Sequence, residues 1–195
     1  EALRGAGFDV LTAEADSVAA MRQALSALPG FSESVEWLEH GYKELSIPPA
    51  TGGGFRMEPN ALHIWPRGGF MLIALPNPDG DFTCTLFLPN TGENSFEQLT
   101  DESSVTAFFE QHFPDAAPLI DNLCDDILHH PLGVLGTVRC RHWHDRGNVL
   151  LIGDAAHAIV PFHGQGMNLA FEDCVLLDRI IDEHGDDWPV VFARF

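Results

Sequence analysis

The segment from Asn148 to Leu177 has residue types and a spacing that could bind a ligand. Four consecutive apolar residues, Val149 to Ile152, predict a short strand buried on both faces, which Gly153 and Asp154 close. A glycine-containing loop follows, and from Met167 onwards the apolar residues recur at helical steps of three and four. The predicted order is therefore strand, acidic residue, glycine loop and helix.

That order has a chemical use at the start of the helix. The first backbone N–H groups of a helix are unpaired and lie at its partially positive end. Gly164 and Gly166 would let a flat or anionic ligand come close to the main chain, and Asp154 could accept hydrogen bonds from ligand hydroxyl groups. An ordinary strand, turn and helix with Asp154 as a helix cap is the alternative, but the whole run of residues favours a binding site.

A second group of residues could bind a metal ion. Cys140, His142 and His144 alternate along a predicted strand, so all three would lie on one face of it. A fourth ligand would have to come from elsewhere, and an exposed polar strand face explains the same alternation. We therefore predict no metal site. The four cysteines show no CxxC spacing, which predicts reduced thiols in a reducing compartment.

Length and charge narrow the class of protein. With 195 residues the chain is long enough for about one large domain. The formal net charge is −19 with only ten lysine and arginine residues, which disfavours DNA or RNA as a partner because phosphates need cationic contacts. Nucleic acid is therefore not an expected partner of this chain. No apolar run is long enough to cross a membrane.

The elements that position these residues are predicted to be a sheet and a helical layer. Short apolar or alternating runs between proline- and glycine-rich turns predict antiparallel strands joined as a meander. The strands are predicted over 42–47, 61–65, 70–75, 82–88 and 134–143, and the helices over 17–28, 103–113, 119–128 and 167–184. In the last helix the packed stripe is predicted to comprise Met167, Ala170, Phe171, Cys174 and Leu177, with Asn168, Glu172, Asp173 and Asp178 elsewhere on the helix.

Two stretches of the sequence together resemble a known family. Gly153-Asp154-Ala155-Ala156-His157, followed by Pro161 and by Gly164-Gln165-Gly166-Met167-Asn168, resembles the second flavin-binding motif of the single-component FAD-dependent aromatic hydroxylases. The runs His40–Leu45, Met57–Asn60, His63–Arg67 and Phe82–Phe87 resemble the substrate-domain sheet of the same family. The resemblance extends from about Arg22 to the end of the chain.

The resemblance implies a fold, a cofactor and an activity. The fold would be α/β (α+β): an antiparallel substrate-domain sheet with helices, plus the second half of an FAD-binding domain. Residues 1–40 would end one FAD-binding segment, 41–143 would form the substrate-binding sheet domain, and 144–195 would hold the Gly-Asp motif and the helix after it. FAD would be the cofactor, NADPH and O2 the co-substrates, and the run 156–174 is similar to members that convert L-kynurenine to 3-hydroxykynurenine. The alternative functions are those of another FAD-dependent aromatic hydroxylase, of a flavin reductase, or of a non-catalytic truncated fragment.

The resemblance also implies roles for individual residues, with no side chain acting as a general base. Asp154 would accept from the ribityl chain, the N–H groups of Met167 and Asn168 would face the pyrimidine edge of the flavin, and His163 would hydrogen-bond a substrate carbonyl or amine. Arg22 would contact the cofactor, although a solvent-exposed helix charge is an equal alternative. The cofactor-binding residues would be Arg22, Gly153, Asp154, Pro161, Gly164, Gly166, Met167 and Asn168. The substrate-binding residues would be Leu62, Met71, Ile73, Leu75, Phe87, Phe162, His163 and Gln165.

One part of the family pattern is missing. No GxGxxG segment for the ADP part of FAD occurs, and Asp16 is followed by Ser17 where the family has a glycine. We therefore expect the chain to be an internal fragment that catalyses nothing alone. The expected location is intracellular: cytoplasmic, or the mitochondrial outer membrane if the source is eukaryotic. Membrane contact would be made only by parts outside this chain.

Overall fold

The computed structural model describes Arg22, Leu25, Ser26 and residues 30–195. Apart from those first three residues, the helix predicted over 17–28 lies outside the described residues. The elements follow one another as β1 (Ser32–Ile47), β2 (His63–Pro66), β3 (Met71–Pro76), β4 (Phe82–Pro89), α1 (Glu102–His112), α2 (Leu123–His129), β5 (Gly133–Arg141), β6 (His144–Asp145), β7 (Val149–Leu150), α3 (Asp154–His157), α4 (Gly166–His184) and α5 (Trp188–Arg194). Short 3₁₀ turns occur at Phe96–Gln98, Ala117–Leu119 and Pro161–His163.

The chain divides into two compact units. One is Leu38–Leu135, and the other combines Gly136–Phe195 with the described residues up to Trp37. The first contains most of the sheet with α1 and α2, and the second contains the glycine loop and α4. The predicted α/β (α+β) class, with an antiparallel sheet and helices, is confirmed.

The main sheet has five strands in the order β2-β3-β4-β1-β5. The predicted meander is correct for β2, β3 and β4, which pair antiparallel in sequence. It is wrong for β1, which pairs with β4 instead of β2. The register places Leu45 opposite Cys84 and Ile47 opposite Phe82, so the buried residues of β1 join the same sheet face as those of β4. The long connection 48–62 allows β1 and β2 to be separated by two strands.

One face of this sheet forms a core with α1 and α2. Phe82, Leu86 and Leu72 from the strands meet Phe109 and Ile127 from the helices, and each is at most 1% exposed. Burial of this kind stabilises the unit by roughly 1.5–3 kcal/mol for each large apolar side chain. The sheet and its two helices are therefore held together mainly by apolar packing.

Helix α1 begins one residue before the predicted start. Its N-cap is Asp101, where the sequence favoured Ser103 or Ser104. Asp101 Oδ1 accepts from the Ser104 N–H at 2.8 Å, and Ser104 Oγ accepts from the Asp101 N–H at 3.1 Å. This reciprocal capping box satisfies two N–H groups at once, whereas a cap by Ser104 would satisfy one.

The strands around the glycine loop are shorter than predicted. The strand predicted over 149–152 is limited to the two residues of β7, which pair with β6, and Val149 is 38% exposed. The alternation of Cys140, His142 and His144 also fails, because β5 ends at Arg141 and His142 has a φ of 61°. The three side chains therefore do not lie along one strand face, and the prediction that they do is wrong.

Candidate functional site

The glycine loop begins at a backbone turn that only glycine adopts readily. Gly153 has φ 60° and ψ −141°, a conformation that is strained for residues with a Cβ atom. A Cβ atom at this position would also lie 3.3 Å from the Cβ of Ala170 on α4. The turn therefore allows the end of the strand segment to approach α4 closely.

Asp154 is the first residue of α3, directly after this turn. Its side chain is exposed, and its Oδ1 atom lies 3.6 Å from the point where a Cβ atom on Gly166 would stand. Gly166 is the first residue of α4. The structure thus places a carboxylate beside the N-terminus of a long helix.

The start of α4 presents N–H donors without a side-chain cap. Its N-cap residue is Gln165, and no cap hydrogen bond from a side chain is formed within the described residues. The N–H groups of Gly166, Met167 and Asn168 belong to the first turn, which has no intrahelical acceptors. Gly164 precedes them with φ 61°, and nothing lies within 4 Å of a Cβ atom built on it. Space is therefore open beside Gly164, next to these donors.

Side-chain contacts hold the loop that leads into α4. Asn168 Nδ2 donates to Gln165 Oε1 at 3.0 Å, and Gln165 Nε2 donates to the carbonyl oxygen of His163 at 3.2 Å. The His163 side chain is exposed, and Phe162 beside it is half-buried. Pro161 opens the 3₁₀ turn that carries both residues. The loop residues predicted for cofactor and substrate therefore lie together in one segment.

Asp173 takes part in this region although the sequence analysis placed it away from the packed side of the helix. Its Oδ2 atom accepts from the Gly153 N–H and from His157 Nε2, each at 2.8 Å. The signal that could have found it is its spacing, because Asp173 lies three residues after Ala170 and four before Leu177, both of which face the packed side.

The predicted apolar stripe of α4 is wrong over its first half. Met167 is 64% exposed, Phe171 is 61% exposed, and Cys174 is exposed too. The buried residues of the helix are Leu177 and Ile180, which pack against α5. The packed side of α4 is therefore rotated away from Met167 and towards the side that carries Asp173.

Arg22 is buried and paired. It is 9% exposed, and its Nε atom donates to Glu33 Oε2 at 2.9 Å. The alternative of a solvent-exposed helix charge is therefore wrong, and the predicted contact of Arg22 with the cofactor stays a prediction. Arg22 also lies close enough to Cys140 to oppose, by its positive charge, the rise in pKa that burial causes in that thiol.

Four of the predicted substrate residues lie on one face of the sheet, namely Met71, Ile73, Leu75 and Phe87, whereas Leu62 directly precedes β2. Leu72, Ala74 and Leu86 point into the core, so the residues that alternate with them point to the opposite face. Register places Met71 opposite Phe87 across β3 and β4. The five predicted residues range from buried Phe87 and half-buried Met71 and Ile73 to Leu75 and Leu62, which are 44% and 52% exposed. The sheet thus presents an apolar surface opposite its core.

The described part of the chain has neither a metal-binding cluster nor a membrane-spanning helix. No cluster of three or more His, Cys, Asp or Glu side chains there could hold a metal ion. No helix among the same residues is long and apolar enough to cross a membrane.

Two curated relatives of the chain carry the same name. A protein named kynurenine 3-monooxygenase from Xanthomonas oryzae pv. oryzae is 54% identical over 188 residues, which cover 96% of this chain and 41% of the relative. A protein of the same name from Myxococcus xanthus is 54% identical over 179 residues, covering 92% and 38%. The chain thus spans about two fifths of the length of these relatives.

Solved structures share the fold at lower identity. A variant of 2-methyl-3-hydroxypyridine-5-carboxylic acid oxygenase superimposes with a TM-score of 0.61 at 20% identity, over 84% of this chain and 44% of that one. A variant of Klebsiella pneumoniae HpxO complexed with FAD gives a TM-score of 0.62 at 18% identity, over 82% and 41%. At these identities the likeness concerns the fold alone.

A family profile covers both units of the chain. The profile described as FAD binding domain matches residues 53–186, which include the sheet strands β2 to β4 and the whole glycine loop. The resemblance that the sequence motifs indicated is confirmed by this match and by the curated relatives. Since the matched residues make up more than half of its length, the chain belongs to the FAD binding domain family.

Proposed function

We propose that the chain is part of an FAD-dependent monooxygenase that hydroxylates L-kynurenine to 3-hydroxykynurenine with NADPH and O2. The observation that carries the proposal is the start of α4, whose N–H groups have no side-chain cap and where the Asp154 carboxylate lies beside Gly166. The substrate is inferred from the relatives named kynurenine 3-monooxygenase.

The residues of the loop fit the flavin part of FAD. The uncapped N–H groups of Met167 and Asn168 are donors for the carbonyl oxygens of a flat heteroaromatic edge. The open space at Gly164 allows a ring to approach the main chain. Asp154 is exposed and suits the hydroxyl groups of the ribityl chain. These residues would therefore hold the flavin and its sugar chain.

The bound FAD would supply the redox and oxygen-transfer chemistry, which no protein side chain provides. The residues of this chain would bind, orient and shield. The partial positive charge at the start of α4 would favour negative charge on the flavin edge that Met167 and Asn168 face. The apolar sheet face would pack against the aromatic ring of the substrate and exclude water from it.

NADPH oxidation by the complete polypeptide encoded by the gene tests this proposal. The FAD-loaded protein is expected to oxidise NADPH faster when L-kynurenine is present and to form 3-hydroxykynurenine, detected by mass spectrometry. Asp154→Asn is expected to weaken FAD binding, whereas the matched control Asp178→Asn, in an exposed acid of α4, is not. A protein that binds FAD but shows no stimulation by kynurenine would refute the substrate assignment.

The same assay separates the alternative functions. Faster oxidation with a phenol than with kynurenine would indicate another aromatic hydroxylase. Oxidation of NADPH without hydroxylated product would indicate a flavin reductase. Absence of FAD binding in the complete polypeptide would favour a non-catalytic chain.

A further inference from the structure

Asp173 connects α4 to the strand end that carries Asp154. Its Oδ2 atom accepts hydrogen bonds from the Gly153 N–H and from His157 Nε2, each at 2.8 Å. The Asp173 side chain is 14% exposed and that of His157 is 21% exposed. Two donors from the same short segment therefore converge on one largely buried oxygen.

The chemistry of these contacts makes them stronger than ordinary loop hydrogen bonds. A carboxylate oxygen only accepts, so His157 must carry a proton on Nε2. The ring of Trp143 packs against the imidazole with centroids 5.1 Å apart, which restricts the movement of His157. Hydrogen bonds to an ionised group are about twice as strong as neutral ones, and partial burial strengthens them further.

The two donors lie at the two ends of α3. Gly153 is the N-cap of this turn and His157 is its last residue, with Asp154 between them. A carboxylate that holds both ends fixes the backbone from which Asp154 extends. Ala170, one helical turn before Asp173, limits the same turn from the helix side, because its Cβ atom would lie 3.3 Å from a Cβ atom on Gly153. The position of the Asp154 carboxylate beside Gly166 therefore depends on Asp173.

We propose that Asp173 is a positioning residue for FAD binding, which fixes the turn from Gly153 to His157 and so directs the Asp154 carboxylate towards the ligand. This inference rests on the proposed function, because it assigns Asp173 to the same flavin loop. Asp173 acts through the turn, because its Oδ2 atom already accepts from two donors and its side chain is largely buried.

FAD titrations of the complete polypeptide, followed by flavin fluorescence, test the proposal with three variants. Asp173→Ala removes the oxygen that accepts both hydrogen bonds, Asp173→Asn keeps one amide oxygen, and Glu172→Gln removes a neighbouring exposed charge without touching the turn. Asp173→Ala is expected to raise the dissociation constant for FAD about tenfold, as loss of a charged hydrogen bond does. Asp173→Asn should raise it less, and Glu172→Gln should leave it unchanged.

A second readout separates positioning from stability alone. At saturating FAD, the visible circular dichroism of the bound flavin is expected to differ between Asp173→Asn and the wild type, because the flavin surroundings shift with the turn. If the Asp173 variants have a lower unfolding midpoint without FAD but an unchanged affinity for FAD and an unchanged flavin spectrum, the role of Asp173 is purely structural. That result would overturn the proposal.

The outcomes also distinguish this inference from the proposed function. If the wild type and both Asp173 variants bind FAD alike, the positioning role fails and the proposed function stands. If the wild type does not bind FAD, both fail together. If Asp173→Ala does not fold, Asp173→Asn decides, because its amide has nearly the shape of the carboxylate.

Discussion

Replacing Gly153 by alanine probes the geometry on which the loop depends. Two separate effects of this substitution are expected to destabilise the fold. The backbone at φ 60° and ψ −141° is strained for alanine, which costs about 1–3 kcal/mol. The new methyl group would also lie 3.3 Å from the Cβ of Ala170. Relief of that contact requires a small shift of α4, at about 1 kcal/mol. Gly153→Ala is therefore expected to lower the free energy of unfolding by about 2–4 kcal/mol.

Gly185 supplies a matched control within the same unit. It caps the C-terminus of α4 with φ 60° and ψ −133°, close to the angles of Gly153, but nothing lies within 4 Å of a Cβ atom built on it. Gly185→Ala should therefore show the backbone strain without the contact, a loss of about 1–3 kcal/mol. The difference between the two variants measures the contact with Ala170.

A double mutant isolates the contact itself. Ala170→Gly removes the methyl group that Gly153→Ala would meet, although glycine inside a helix costs about 1 kcal/mol. The loss of unfolding free energy in the double variant is expected to be about 1 kcal/mol smaller than the sum of the losses in the two single variants. Urea unfolding of the 195-residue chain, followed by far-ultraviolet circular dichroism, gives all the values. Equal losses for Gly153→Ala and Gly185→Ala, with no coupling to Ala170, would refute the reasoning.

Further predictions concern the sheet unit. Asp101→Asn is expected to lower the unfolding midpoint at pH 7, because the Ser104 N–H bond holds the pKa of this carboxyl below its usual value. Because its pKa is lower in the folded state, the ionised Asp101 carboxylate stabilises the fold at a pH above about 3.9, its pKa in the unfolded chain, and this stabilisation is lost as the pH falls. The difference in unfolding midpoint between variant and wild type should therefore shrink in thermal melts at acidic pH. Burial, reinforced by the negative charge of Asp126, raises the pKa of the Cys84 thiol to about 12. Iodoacetamide at pH 8, read by mass spectrometry, should therefore leave Cys84 unmodified in the folded chain and label exposed Cys174; labelling of Cys84 at the rate of Cys174 would contradict the buried position. Phe109→Ala is expected to cost about 3–5 kcal/mol in urea unfolding, and a loss below about 1 kcal/mol would contradict its place in the core.

Local signals predicted most elements of the fold. Alternation and turn residues located β3 and β4 to within a residue or two, and Gly185 marked the end of α4 as predicted. The pairing of β1 with β4 could not be predicted in this way, because a connection as long as 48–62 does not restrict which strands become neighbours.

The candidate site was only partly predictable for a different reason. The Gly-Asp turn and the glycine loop have a sequence signature, so this segment was predictable from the sequence alone. Asp173 was not, because a search for an apolar stripe assumes that the packed side of a helix holds only apolar residues. Met167 and Phe171 are apolar and were therefore assigned to the packed side, but both are exposed. Asp173 is charged and was assigned elsewhere, but its side chain is largely buried.

FAD retention by the complete polypeptide tests the central claim most directly. The protein is mixed with FAD and desalted, and the flavin absorbance that remains is compared with the protein concentration. The account predicts about one flavin per chain, as expected for a single largely preformed cofactor site, and clear loss of flavin in Asp154→Asn. Absence of retained flavin in the wild type, or full retention by Asp154→Asn, would contradict the assignment of the loop from Gly153 to Asn168 as the flavin site.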